Sequence, residues 1–152
     1  AKERGDVSFV QQVLFYPVAD MARESPSFLS VANVPVPGAS LRRLYAAYIP
    51  DSADRTDWRA SPLHVESVGG LPPAFIAVGD HDPLFDEGVA FADRFYKAGI
   101  TVKLRALPGQ IHGYLSYGAV IEEASHSLVA AADFLRVHCP ATSLPGRIRP
   151  EI

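Results

Sequence analysis

Hydrophobic positions along the chain form three short runs separated by longer stretches with helical spacing. Residues 10–16 end in the apolar run Val-Leu-Phe-Tyr, and residues 74–78 are apolar or small throughout. Both segments therefore predict strands that are buried on two faces. Residues 101–107 instead alternate between apolar and polar positions. This period of two predicts a strand with one solvated face, as expected near the edge of a sheet.

Three segments have the spacing of amphipathic helices. The first covers residues 40–49, with Ser40 as its N-cap, and the second covers residues 86–98, with Gly99 after its end. The third covers residues 117–137, and its apolar stripe comprises Ile121, Ala124, Leu128, Ala131 and Leu135. Strands and helices thus alternate along the chain, which predicts an α/β fold with a mainly parallel sheet and right-handed crossovers.

Composition narrows the class of protein. The 152 residues suffice for one domain, and 48% of them are hydrophobic. A net charge of −3, with no block of like charges, gives no support for a nucleic-acid partner. No apolar run reaches the roughly 18 residues of a membrane span. The single Cys139 excludes an internal disulfide framework, and the charged residues 1–6 do not resemble a signal peptide. We expect a cytoplasmic protein without a cofactor.

One acid and one histidine follow the second and third predicted strands. Asp82 lies four residues past Val78, and His112 lies five residues past Leu107. Functional groups in parallel sheets gather at the carboxyl ends of strands, and neighbouring strands lie about 5 Å apart. The carboxylate and the imidazole can therefore come within hydrogen-bond distance. Such a pair fixes the imidazole tautomer and stabilises the imidazolium, as in hydrolytic triads.

Other interpretations of these residues stay open. Asp80 could be the functional acid instead, and Asp82 or Asp86 could simply cap the following helix. His81 beside Asp82 could suggest a metal, but no third ligand is in view. The remaining histidines are more typical of surface or packing positions: His64, His81, His126 and His138.

No nucleophile motif accompanies the acid and the histidine. Gly-x-Ser-x-Gly occurs nowhere in the 152 residues. Ser61, Ser116 and Ser125 lack the strand–turn–helix elbow that an activated serine needs. The sequence therefore predicts two thirds of a hydrolytic triad.

Five short motifs resemble one known family. They are the Gln-Val-Leu-Phe-Tyr-Pro strand at residues 12–17, Ala-Ser-Pro-Leu at 60–63, Leu-Pro-Pro-Ala at 71–74, Asp-Pro-Leu-Phe-Asp-Glu-Gly at 82–88 and Ile-His-Gly-Tyr at 111–114. Together they resemble the C-terminal half of an α/β-hydrolase of the hormone-sensitive-lipase-like esterase group. The resemblance implies that Asp82 is the triad acid and His112 the triad base. It implies three mainly parallel strands of an incomplete sheet over residues 1–138, and we expect an irregular tail over 139–152.

The family's nucleophile elbow and oxyanion segment have no counterpart in the chain. The resemblance places residues 1–3 at the end of the elbow helix, so the first five strands would precede them. We therefore expect a carboxylic ester hydrolase fragment that is inactive alone. Its open strand at 10–16 would pair with the missing N-terminal half or with a second copy.

The sequence says less about the substrate and leaves other functions open. The resemblance implies a small-molecule ester, and Phe28, Leu41, Leu44, Tyr45 and Tyr48 could wall an acyl pocket or merely pack a helix. A non-catalytic domain that acts as a binding or assembly module is the main alternative. A flavodoxin-like domain is disfavoured because no Gly-rich phosphate loop follows either buried strand.

Overall fold

A computed structural model of the chain describes Gly5 and residues 8–138, with the side chain of His138 excepted. Its strands and α-helices are β1 Gln12–Phe15, α1 Pro26–Ser30, α2 Gly38–Tyr48, β2 Ala74–His81, α3 Phe85–Lys97, β3 Val102–Ile111 and α4 Glu122–His138. Short 3-10 helices cover Ser52–Thr56, Pro62–His64 and Tyr114–Tyr117. The expectations for residues 1–3, Cys139 and the tail at 139–152 fall outside the described residues.

The three strands form one parallel sheet in the order β1-β2-β3. Gln12 pairs with Ala74, and Ala74 pairs with Val102. The predicted α/β architecture, with an open three-stranded parallel sheet and flanking helices, is confirmed.

The central strand is buried because helices cover both of its faces. Ile76 and Val78 point to the side of α3, where they pack in one apolar cluster with Phe95. Phe75 points to the side of α4 and packs against Phe134, with ring centroids 5.9 Å apart. Successive side chains of a strand alternate between faces, so two apolar layers require the continuous apolar run that predicted this strand.

Among the described strands, β3 lies at an edge of the sheet, as its alternating pattern predicted, but solvent reaches both of its faces and not only the polar one. Leu104 and Ala106 are exposed, whereas Leu107 is buried in the cluster beneath α4. Arg105 is half-buried and donates to Glu123 of α4 at 2.9 Å. Lys103, which pairs with Phe75 and so faces the α4 side, is exposed as well, and both faces of this outer strand are therefore partly solvated.

β1 lies at the opposite margin of the sheet. Gln12 and Tyr16 donate their N–H groups to the carbonyls of Pro73 and Ala77, beside β2. Alternate residues of a parallel strand bond to opposite neighbours, so Val13 and Phe15 present their backbone groups on the other side. No strand among the described residues covers that side.

Several predicted helix features are wrong. α2 begins at Gly38, not after Ser40, and Pro37 occupies its N-cap position. Its start is set by tertiary packing, since a Cβ on Gly38 would lie only 2.3 Å from the carbonyl oxygen of Phe28. α4 begins at Glu122 because Tyr117 belongs to the preceding 3-10 helix.

The predicted stripe of α4 is wrong at its leucines. Leu128 is 54% exposed and Leu135 is 40% exposed. The inner face of the helix consists of Ala124, Ser127, Ala131 and Phe134. Small residues allow the helix to approach the sheet closely, and Phe134 fills the space between them at one point.

Among the described helices, none is both long and apolar enough to cross a membrane.

Candidate active site

The two proposed catalytic side chains follow directly on the ends of neighbouring parallel strands. β2 extends through His81 and β3 through Ile111, each further than the sequence predicted, and these two residues face each other across the ladder. Asp82 and His112 are the next residues. The register of the two strands therefore brings both side chains to the carboxyl end of the sheet.

The carboxylate of Asp82 holds the imidazole of His112. Nδ1 of His112 lies 2.9 Å from Oδ2 of Asp82, while Oδ1 accepts the N–H of Leu84 at 2.8 Å. Asp82 is completely buried, and the His112 side chain is 21% exposed. The acid thus shapes the turn into α3 and also orients the histidine. Because Nδ1 is engaged by Asp82, Nε2 is the ring nitrogen that remains for proton exchange.

Asp80, the other candidate acid, lies elsewhere. It is exposed, its Oδ1 accepts the N–H of Gly109 at 2.7 Å, and the same oxygen lies 2.6 Å from Nδ1 of His81. The hydrogen bond with His81 lowers the pKa of this carboxyl group. The structure therefore brings Asp82, and not Asp80, to His112.

The end of β3 reaches the site through a bulge. Gly79 pairs with Leu107 and His81 with Ile111, so β3 accommodates extra residues between these pairs. The backbone at the bulge lies directly over Gly79, where a Cβ would be 2.1 Å from the carbonyl oxygen of Gln110. Bulges bend a strand and re-aim the side chains beyond them, and here the next side chain is His112.

We expect Gly79→Ala to destabilise the protein by about 1–3 kcal/mol because the methyl group must push β2 and β3 apart. The matched control is Gly118→Ala, whose added Cβ would meet its neighbours at an ordinary 3.8 Å. Urea unfolding measures both effects. Equal free energies of unfolding for the two variants would contradict the close approach at Gly79.

A second buried cluster of ionisable groups lies behind the site, and the sequence analysis missed it. Glu87 is only 4% exposed, and its Oε1 accepts the backbone N–H groups of Ala19 at 2.6 Å and Asp20 at 3.2 Å. Oδ1 of Asp20 lies 2.9 Å from Nε2 of His64. Burial raises the pKa of Glu87 to about 7. The only sequence signal was an acid in the first turn of a helix, which normally indicates a solvated residue.

We expect Glu87→Gln to flatten the pH dependence of stability. Between pH 4.5, the ordinary pKa of this group, and pH 7, the folded chain retains a proton that the unfolded chain has released. Stability of the unmodified protein therefore falls as the pH rises through this window, by up to about 3 kcal/mol. The test is the free energy of unfolding at pH 5 and pH 8, with the exposed Glu66→Gln as control. An unchanged difference between the two pH values in Glu87→Gln would refute the shift.

Asp86 holds α1 against the start of α3. Its Oδ2 accepts the N–H of Ser27 at 2.7 Å, and its own N–H donates to Oγ of Ser27 at 3.1 Å. The Ser27 hydroxyl also donates to the carbonyl of Pro83 at 2.9 Å. These reciprocal bonds fix the segment that carries Phe28 close to the acid motif.

The five residues proposed for an acyl pocket separate into two groups. Phe28, Leu41 and Tyr45 are buried in one cluster, together with Leu84 from the acid motif. Leu44 and Tyr48 are 59% and 74% exposed, and the structure does not bring them to that cluster. They lie on the outer face of α2, because its inner face is set by the four-residue step from Leu41 to Tyr45.

The candidate serines do not provide a nucleophile. Ser61 is fully buried; its hydroxyl accepts the N–H of Met21 and donates to the carbonyl of Arg55, which ties the segment at Met21 to the 3-10 helix at Ser52–Thr56. Ser116 belongs to a 3-10 helix, and Ser125 is exposed on α4.

In the part of the chain that the structure describes, no three His, Cys, Asp or Glu side chains lie close enough to hold a metal ion.

Tyr16 is a site residue that the sequence analysis did not single out. Its ring centroid lies 4.7 Å from that of His112 and 5.8 Å from that of Tyr114. Its backbone has a φ of +38°. The Tyr-Pro pair at the end of the first strand was visible in the sequence, but neither the conformation nor the contact was.

The chain matches a known protein family and enzymes of known activity. The profile of a family described as the alpha/beta hydrolase fold matches residues 1–116. The chain is 35% identical over 128 residues to the ethyl acetate hydrolase of Pseudomonas putida and 30% identical over 131 residues to carboxylesterase NlhH of Mycobacterium tuberculosis. These matches cover 84% of this chain but only 40% and 41% of the two relatives.

A solved structure has a similar fold over most of this chain. The Ser161Ala mutant of LAE6, an alpha/beta hydrolase enzyme from the metagenome of Lake Arreo in Spain, matches with a TM-score of 0.84 and 36% identity. The match covers 90% of this chain and 44% of that enzyme. With its parallel sheet and its acid and histidine motifs, the chain belongs to the hormone-sensitive-lipase-like α/β-hydrolase family.

Proposed function

We propose that Asp82 and His112 are the acid and base of a serine carboxylic ester hydrolase, whose nucleophile and oxyanion donors come from polypeptide outside this chain. The observation that carries the proposal is the 2.9 Å contact between a fully buried carboxylate and Nδ1 of a partly exposed imidazole. Buried carboxylate–imidazole pairs at strand ends are the orienting half of a hydrolytic triad.

The chemistry assigned to the Asp82–His112 pair is proton transfer. Nε2 of His112 accepts the proton of a serine hydroxyl as its oxygen forms a bond to the ester carbonyl carbon. The resulting imidazolium is stabilised by the carboxylate of Asp82 and returns the proton to the departing alcohol. In the second step a water molecule attacks the acyl-enzyme. Nε2 of His112 takes the proton of the water and returns it to the serine oxygen, and the carboxylic acid leaves.

The relatives and the apolar cluster support a class of substrate. One relative is an ethyl acetate hydrolase and another is a carboxylesterase. The buried side chains of Phe28, Leu41 and Tyr45 lie beside Leu84, two residues from the triad acid. We assign small carboxylic esters as substrates, with this cluster on the apolar side of the site.

The open margin of β1 is the proposed attachment point for the rest of the enzyme. The backbone groups of Val13 and Phe15 face away from β2, and Phe9 and Val10 are 63% and 59% exposed. Unpaired strand edges beside apolar residues pair readily with another strand. The occupant would be the N-terminal half of the enzyme or, in its absence, a second copy of this chain.

The test combines this chain with an N-terminal segment of a related esterase that carries Gly-x-Ser-x-Gly; we call this combination the reconstituted enzyme. We expect the chain alone to leave a short-chain nitrophenyl ester unhydrolysed, because an acid–base pair without a nucleophile forms no acyl-enzyme. The reconstituted enzyme should hydrolyse the ester. The N-terminal segment alone and its Ser→Ala variant are the controls.

The open edge also favours a second candidate function, a non-catalytic assembly module. That function predicts stable self-association of the chain and no hydrolysis in any combination. Turnover by the chain alone that His112→Ala abolishes would contradict both functions.

A further inference from the structure

Tyr16 has an unusual backbone for its residue type. Only two non-glycine residues in the described part of the chain have positive φ, and the other is Asn33, a type that enters this region several-fold more readily. The N–H of Tyr16 still donates to the carbonyl of Ala77 at 2.7 Å, so strand pairing continues up to the turn. Such strain persists only where the surroundings over-determine it, and it clusters at functional sites.

The strained backbone places the Tyr16 ring against two other rings. It contacts the imidazole of His112, with the ring planes inclined at 58°. It also meets Tyr114 nearly edge-on, at 78°, and Tyr114 is fully buried. Tyr114 thus supports Tyr16, and Tyr16 supports the histidine.

One hydrogen bond does not fix an imidazole. With only the Nδ1 contact to Asp82, the ring of His112 could rock about that bond and carry Nε2 away from the reacting atoms. General-base catalysis requires Nε2 within hydrogen-bond distance of the proton that it takes, and small misplacements are costly. A second contact on the ring, such as that of Tyr16, limits this freedom.

We propose that Tyr16 is a positioning residue that holds the His112 imidazole with Nδ1 on Asp82 and Nε2 toward the reacting atoms. This inference rests on the proposed function of the Asp82–His112 pair. Burial and the nearby charge of Asp82 raise the pKa of the Tyr16 hydroxyl, so the group stays a neutral phenol. The contribution that we assign to Tyr16 is the ring contact.

The test is nuclear magnetic resonance of the full chain with ¹⁵N-labelled histidine. In the unmodified chain we expect a downfield, exchange-protected Nδ1 proton on His112 and nuclear Overhauser contacts between the rings of Tyr16 and His112. Tyr16→Leu should lose the protected signal, and Tyr16→Phe should retain it. Tyr96→Leu is the matched control, because Tyr96 is 76% exposed on α3.

Asp82→Asn separates this inference from the proposed function. If the unmodified chain has no protected proton that depends on Asp82, the Asp82–His112 pair fails and the positioning role fails with it. If that proton is present and survives Tyr16→Leu in a folded chain, only the role of Tyr16 is refuted. Should Tyr16→Leu not fold, Tyr16→Gly tolerates the positive φ and must also lose the signal. Absence of ring-to-ring contacts in the unmodified chain would refute the inference without any variant.

Discussion

Replacement of Asp82 by Asn is expected to lower the turnover number of the reconstituted enzyme by about four orders of magnitude. The amide preserves the size of the side chain and can still accept the N–H of Leu84. Its NH₂ group, however, would face Nδ1 of His112, and this favours the tautomer that carries the proton on Nε2. A base that already holds the proton cannot take one from the nucleophile, so the chemical step is lost while ester binding is kept.

The matched control for this experiment is Asp80→Asn. Asp80 is exposed, and the structure pairs it with His81 and Gly109. We expect its replacement to change turnover only a few-fold, since surface ion pairs contribute little. A loss at Asp80 that equals or exceeds the loss at Asp82 would show that the wrong carboxylate had been assigned.

Replacement of Phe75 by Ala is expected to lower the free energy of unfolding by about 3–5 kcal/mol. Phe75 is fully buried on β2, and its ring contacts Phe15 at 5.8 Å and Phe134 at 5.9 Å between centroids. It therefore joins β1, β2 and α4. Its removal leaves a cavity that the sheet cannot close, because the backbone on both sides is fixed by strand pairing.

Urea denaturation at a fixed chain concentration measures this loss. Leu128→Ala is the control, since Leu128 is 54% exposed on α4 and Ala suits a helix. We expect less than about 1 kcal/mol for that variant. Similar losses for the two variants would mean that the described core does not hold the protein together.

The central strand and the contact between Asp82 and His112 could be predicted because local patterns determine them. A short apolar run with no polar position favours a strand that is covered on both faces, and β2 has that run. Parallel strands of known order bring their carboxyl ends together, so the acid motif and the His-Gly motif had to meet near the ends of β2 and β3.

Features set by tertiary packing could not be predicted. The start of α2 depends on the close approach of Gly38 to Phe28. The inner face of α4 is formed by small residues and Phe134, whereas helical spacing predicted leucines there. Glu87 has the sequence pattern of an ordinary acid in the first turn of a helix. Its burial depends on the distant segment at residues 19–20, which donates two N–H groups to it. Helical spacing placed Leu44 and Tyr48 with Leu41, but it cannot tell which side of α2 faces the protein.

The most direct test of the account is a crystal structure of the reconstituted enzyme after reaction with a phosphonate ester, which links covalently to an activated serine. We expect Nε2 of His112 to lie about 3 Å from the modified serine oxygen, while Nδ1 remains bonded to Asp82. A modified serine that is served by His64 or His81, with the ring of His112 turned away, would contradict the assignment of the acid–base pair.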